Sequence, residues 1–153
     1  MIDNNKLKQL VLKQEQYMIN TRRYFHENPE VSSKEFETSE YLKRKMKSLN
    51  MEIKAVEGTG FYAILDTGRP GKTIGLRTDI DALPMQEHEN NLNQAKKCVS
   101  KRDGAMHACG HDGHMAVVLA AAKILSDLKE QLNGKIIFIF EEVLRNHPVF
   151  WSY

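Results

Sequence analysis

Apolar and aromatic residues recur with a three-and-four spacing at Leu7, Leu10, Val11, Tyr17, Met18, Tyr24 and Phe25, which predicts one long amphipathic helix that stops before Pro29. Ser32 and Glu35 have the spacing of a capping box. Phe36, Leu42, Met46 and Leu49 then repeat on one face as far as Asn50, predicting a second helix. From residue 51 the period shortens. Apolar runs at 51–56, 61–65 and 73–76, divided by Gly58-Thr59-Gly60 and by a turn-rich stretch from Asp66 to Gly71, predict three neighbouring strands. Residues 87–104 are polar and aperiodic, which predicts a long loop. The alanine- and leucine-rich run 115–128 predicts a buried helix, and Gly134 separates it from a strand at 135–140. Helices alternating with strands give an α/β fold class, a central β-sheet flanked by helices.

The length of 153 residues fits one domain, and no linker or internal repeat divides it. A formal net charge of +2 excludes a global field that would attract nucleic acid or an anionic membrane, so neither is expected as a partner. The basic run Lys43-Arg44-Lys45-Met46-Lys47 reads as the solvated face of the second helix. Two cysteines cannot form a disulfide framework. The N-terminus also lacks the pattern of a signal peptide, and the expected location is cytoplasmic. Gly58-x-Gly60 lacks the further glycine of a phosphate loop and reads as a hairpin turn.

Chemistry concentrates in Met106-His107-Ala108-Cys109-Gly110-His111-Asp112-Gly113-His114. Cys109 and His111 offer a thiolate and an imidazole that suit zinc or its neighbours, and Gly110 and Gly113 free the backbone to turn both toward one ion; the competing reading is a histidine-rich surface turn. Cys98, in the polar loop, reads as an incidental free cysteine. Glu141 and Glu142 stand at the carboxyl end of the last strand, where open α/β sheets place ligands, and could supply a general base and a metal ligand. Adjacent residues on extended chain point apart, so both can serve only if the chain turns there. Asp79 and Asp81 alternate after the third strand and could ligate metal or fix the tautomer of a ligand histidine; as alternatives, they stabilise a turn before Pro84.

Three ordered segments, Arg22-Arg23-Tyr24-Phe25-His26-Glu27-Asn28-Pro29-Glu30, Gly75-Leu76-Arg77-Thr78-Asp79-Ile80-Asp81-Ala82-Leu83-Pro84-Met85 and the 106–114 motif, resemble successive signatures of the M20 metallopeptidase family. The likeness is greatest to its amidohydrolase branch of aminoacylase-, hippurate hydrolase- and indole-acetyl-amino-acid hydrolase-like enzymes. The resemblance implies hydrolysis of the amide bond of an N-acyl amino acid or small peptide-like substrate, using two divalent ions (Zn, Mn, Co or Ni) and activated water. It casts Cys109, His111 and Glu142 as metal ligands, Glu141 as general base and Asp81 as the orienting aspartate. Asp79 stands where related branches carry a ligand histidine, and His107 and His114 belong to the motif without being ligands. It also implies that residues 1–142 are the N-terminal portion of a catalytic domain, with 143–153 a divergent tail. The dimerisation domain and the second catalytic half of the homodimeric relatives then lie outside the chain. Phe140 leads directly into Glu141, where the family carries a short Gln-Pro-Ala-like spacer. Either the turn is shortened and the pair displaced, or Glu141 and Glu142 are not the family's pair. The expectation is an impaired metal-dependent hydrolase holding one ion weakly. The alternative is a non-catalytic remnant that binds metal weakly or associates with an intact homologue.

Overall fold

The computed structural model describes residues 3–91 and 93–142. Its helices are α1 (Asn4–Leu12), α2 (Glu15–Glu27), α3 (Phe36–Ser48) and α4 (His111–Asp127). Its strands are β1 (Glu52–Ala55), β2 (Phe61–Asp66), β3 (Thr73–Asp79), β4 (Asn90–Asn91), β5 (Gln94–Ala95) and β6 (Lys135–Glu141). The expected divergent tail at 143–153 lies outside the described residues.

The main sheet runs β1-β2-β6-β3, with β1 and β2 antiparallel, β2 and β6 antiparallel, and β3 parallel to β6. The expectation of three consecutive neighbouring strands therefore fails at one place: β6 inserts between β2 and β3. The run Ile136-Ile137-Phe138-Ile139-Phe140 is the most continuously apolar in the sheet, and a strand of that kind gains most from having both edges paired. Alternation along β2 and β6 turns Phe61, Ala63, Leu65, Phe138 and Phe140 inward, and all five are buried. The rings of Phe61 and Phe140 stack at 4.6 Å across the pair. These residues share one core with Phe25 of α2, Leu42 and Met46 of α3, and Met115, Val118, Leu119 and Ala122 of α4.

Two helical expectations are corrected. The long N-terminal helix is broken at Lys13 and Gln14, where Gln14 N–H bonds to Val11 C=O at 2.9 Å in place of the residue one further back. None of the residues of α1 is buried, so no packing holds it in line with α2, whose Thr21, Phe25 and His26 are buried. The capping box also does not form. Glu35 is fully buried and accepts from the Thr59 hydroxyl at 2.8 Å. The first turn of α3 is capped instead by Glu30, whose carboxylate accepts from Thr38 N–H at 2.7 Å and Glu37 N–H at 3.3 Å. Phe36, expected in the core, is 63% exposed.

Residues 87–104 form the expected loop, with the short β4–β5 ladder inside it. Helix α4 begins at His111 rather than Met115 and so draws the end of the motif into its first turn. Residues 58–60 connect β1 to β2, as the hairpin reading required. Among the described residues, no helix is long and apolar enough to cross a membrane.

Candidate metal centre

Gly110 adopts φ +83° at the start of α4, a left-handed conformation that a side chain resists. This turn leaves Cys109 exposed while His111, one residue into the helix, is buried. The preceding segment is tied to Leu83 by reciprocal backbone bonds between Leu83 and Met106 at 2.9 and 3.0 Å, which bring the motif beside Asp81.

Asp81 is buried, and its carboxylate accepts from the Ser32 hydroxyl at 2.6 Å. His111 Nδ1 lies 2.8 Å from Asp81 Oδ1 and 3.0 Å from the Asp81 carbonyl oxygen. Both neighbours are acceptors, so the ring proton is held on Nδ1, and in the neutral ring the Nε2 lone pair is left for another partner. Asp79 Oδ2 is 3.6 Å from that Nε2. The structure thus brings His111, Asp79 and Asp81 together, in the arrangement expected when an aspartate fixes a histidine tautomer. His114 is exposed, its ring 5.9 Å from that of His111.

The acidic pair diverges. Glu141, opposite Asp79 on β3, ion-pairs with Arg77, which also reaches Asp79 at 2.7 Å. Glu142 turns the other way and accepts from Thr59 N–H at 2.8 Å and the Thr59 hydroxyl at 3.1 Å. Burial opposes its charge, but the Thr59 N–H and the Ser33 and Thr59 hydroxyls outweigh burial and hold the Glu142 carboxyl below its ordinary pKa. Both glutamates line a concavity of about 400 Å³ with Glu57, Tyr62 and Arg77. Cys109 lines a different cavity, of about 1140 Å³, with Arg22, His26, Glu87, Lys96 and His107. Among the described residues, no three His, Cys, Asp or Glu side chains come together as a metal-holding group. The donor chemistry of Cys109 and His111 fits a divalent ion, and the structure does not add Glu142 to them.

The sequence reading assigned no contacts to two buried histidines. His107 is buried with neither ring nitrogen hydrogen-bonded, and burial lowers its pKa to about 4. His26 is buried between Asp112 and Glu87. Its position on the inner side of α2 was a usable signal, whereas Glu87 lies in a loop whose pattern carries none. Cys98 Sγ is 3.7 Å from Glu27, and burial, reinforced by that carboxylate, raises its thiol pKa, which is in keeping with an unreactive cysteine.

Residues 75–142, spanning β3, the motif, α4 and β6, match the model of Peptidase family M20/M25/M40. Over this segment the chain is similar to peptidase family M20. It is 39% identical over 144 residues to an N-acyl-L-amino acid amidohydrolase of Geobacillus stearothermophilus, covering 94% of this chain and 38% of that protein. An N-acetylcysteine deacetylase of Bacillus subtilis is 42% identical over 126 residues, covering 81% of this chain and 32% of the relative. Among solved structures, this chain resembles the YXEP protein of Bacillus subtilis, described as a dinuclear metal binding peptidase from the M20 family. That match has a TM-score of 0.75 and 38% identity over 89% of this chain and 36% of the other. This chain therefore spans about a third of the length of these relatives.

Proposed function

We propose that this chain contributes Cys109 and His111 as ligands to the divalent-metal site of an M20 amidohydrolase, which cleaves the amide bond of N-acyl amino acids or small peptide-like substrates. The observation that carries this reading is the Asp81–His111 contact at 2.8 Å, which fixes the tautomer and aims Nε2 away from its support. The substrate class is supported by the relatives named for N-acyl amino acids. Zinc, manganese, cobalt or nickel would supply Lewis acidity toward water and the amide carbonyl. In this reading Glu142 completes the ligand set and Glu141 accepts the proton of the attacking water. Both carboxylates must first leave Thr59 and Arg77. The enzyme so formed is cytoplasmic, and a homodimer at full length.

A second reading, a non-catalytic remnant that holds one ion weakly or joins an intact homologue, is favoured by one specific observation: the acidic pair and Cys109 line separate cavities. Metal content measured together with hydrolysis of a panel of N-acyl amino acids separates the two. Metal-dependent turnover that is lost in Cys109→Ala and in Glu141→Ala supports the enzyme. Folded, metal-loaded chain without turnover leaves the remnant.

A further inference from the structure

His26 of α2 lies between two carboxylates from elements far apart in sequence. Its Nδ1 is 2.7 Å from Asp112 Oδ2 in the first turn of α4, and its Nε2 is 3.1 Å from Glu87 Oε1 at the start of the 87–104 loop. Asp112 and Glu87 are 1% and 7% exposed, so little water screens either contact. A neutral imidazole has one N–H, so one of the two contacts would set a ring lone pair against a carboxylate oxygen; carboxylates on both ring nitrogens call for the doubly protonated ring. We propose that His26 is a positioning residue which, as an imidazolium, clips the 87–104 loop to the turn that carries Cys109 and His111.

The charged and titratable groups around His26 bear on this, among them the carboxylate of its helix neighbour Glu27. Arg22, from the same helix, reaches Asp112 Oδ2 at 2.9 Å, and Lys96 from the loop reaches Glu87 Oε1 at 2.9 Å. His107 from the motif repels the added charge weakly, because burial keeps its own ring neutral. The two buried carboxylates outweigh these cations, and the Asp112 bond, opposed by burial and helped by Glu87, raises the His26 pKa above its ordinary value. Glu87 Oε2 also accepts from Ser100 N–H at 2.6 Å, so one carboxylate holds both ends of the loop segment that walls the 1140 Å³ cavity. A separate tie, Lys101 N–H to the Glu27 carbonyl at 2.9 Å, fastens the loop beyond this point. Loss of the His26 proton thus frees residues 87–100 locally rather than the whole loop. What the clip does for catalysis rests on the metal-site reading; the clip itself does not.

The test uses the metal-free full chain. Histidine ring NMR should find both His26 nitrogens protonated at pH 7. Hydrogen exchange should show protection of the Ser100 amide falling at least about tenfold as His26 deprotonates, and falling equally in His26→Gln at all pH values. A single protonated nitrogen at pH 7, or Ser100 protection indifferent to the His26 titration, overturns the proposal. If His26→Gln fails to fold, the wild-type titration alone decides. Cobalt(II) affinity, read from the thiolate charge-transfer band, should weaken about tenfold in a folded His26→Gln. Absence of cobalt binding in the wild type defeats the metal-site reading, whereas the clip still stands or falls on the ring NMR and Ser100 exchange.

Discussion

Gly58 stands at φ +80° on the turn between β1 and β2, and a Cβ there would collide with the Glu142 carboxylate. Gly58→Ala should therefore push the Glu142 carboxylate off Thr59 and lose those hydrogen bonds in addition to the ~1–2 kcal/mol of a left-handed backbone. Gly104→Ala, at φ +71° with open space around it, measures that backbone cost. Urea unfolding of the two variants compares them, and equal losses would remove the idea that Glu142 is packed into the turn. His107 predicts a pH effect in the metal-free protein. Its folded pKa of about 4 lies below the ordinary 6.5, so the unfolded chain binds the extra proton first. Stability should fall as pH drops from about 6.5 toward 4 and level off below. His107→Phe should flatten that slope, and an unchanged slope would assign it elsewhere. At this scale the contact between Asp81 and His111 was among the readings the sequence offered, because both residues sit within short motifs. It could not show which way Glu141 and Glu142 point, since that depends on the chain's exit from β6. Nor could it pair His26 with Glu87, separated by 61 positions.

Helix α3 begins without the cap its sequence offers. The Glu30 carboxylate meets Thr38 and Glu37 N–H from outside the helix, and Ser32 is drawn off to Asp81. Glu30→Ala should lose about 1–2 kcal/mol in chemical denaturation, the usual cost of removing a helix cap. Ser32→Ala should leave α3 in place and act through Asp81 instead. Helical content and unfolding midpoint of both variants check this, and a larger loss of α3 in Ser32→Ala would reinstate the capping box. The main-sheet strands and the helices were legible from pattern and composition, whereas the β4–β5 ladder was not. The break at Lys13 and Gln14 was not, because an amphipathic pattern continues across it and only the absence of packing under α1 decides the matter.

The sheet shows the limit of pattern at the scale of the whole molecule. Each strand of the main sheet could be read in place, yet strand order depends on which edges pair, and β6 displaced the sequential neighbours. Among the described residues β3 has one unpaired edge, and Ile74 on it is 59% exposed. Apolar edges of this kind invite self-association. Ile74→Lys should reduce concentration-dependent association in analytical ultracentrifugation, and identical behaviour of wild type and variant would acquit the edge. The insertion of β6 has a further consequence during synthesis. A ribosome that has released β1, β2 and β3 has released a hairpin and a strand with no strand pairing between them, because the element that joins them is made after all three. The nascent sheet must wait for residue 141, and until then β3 is a stray strand in search of a partner.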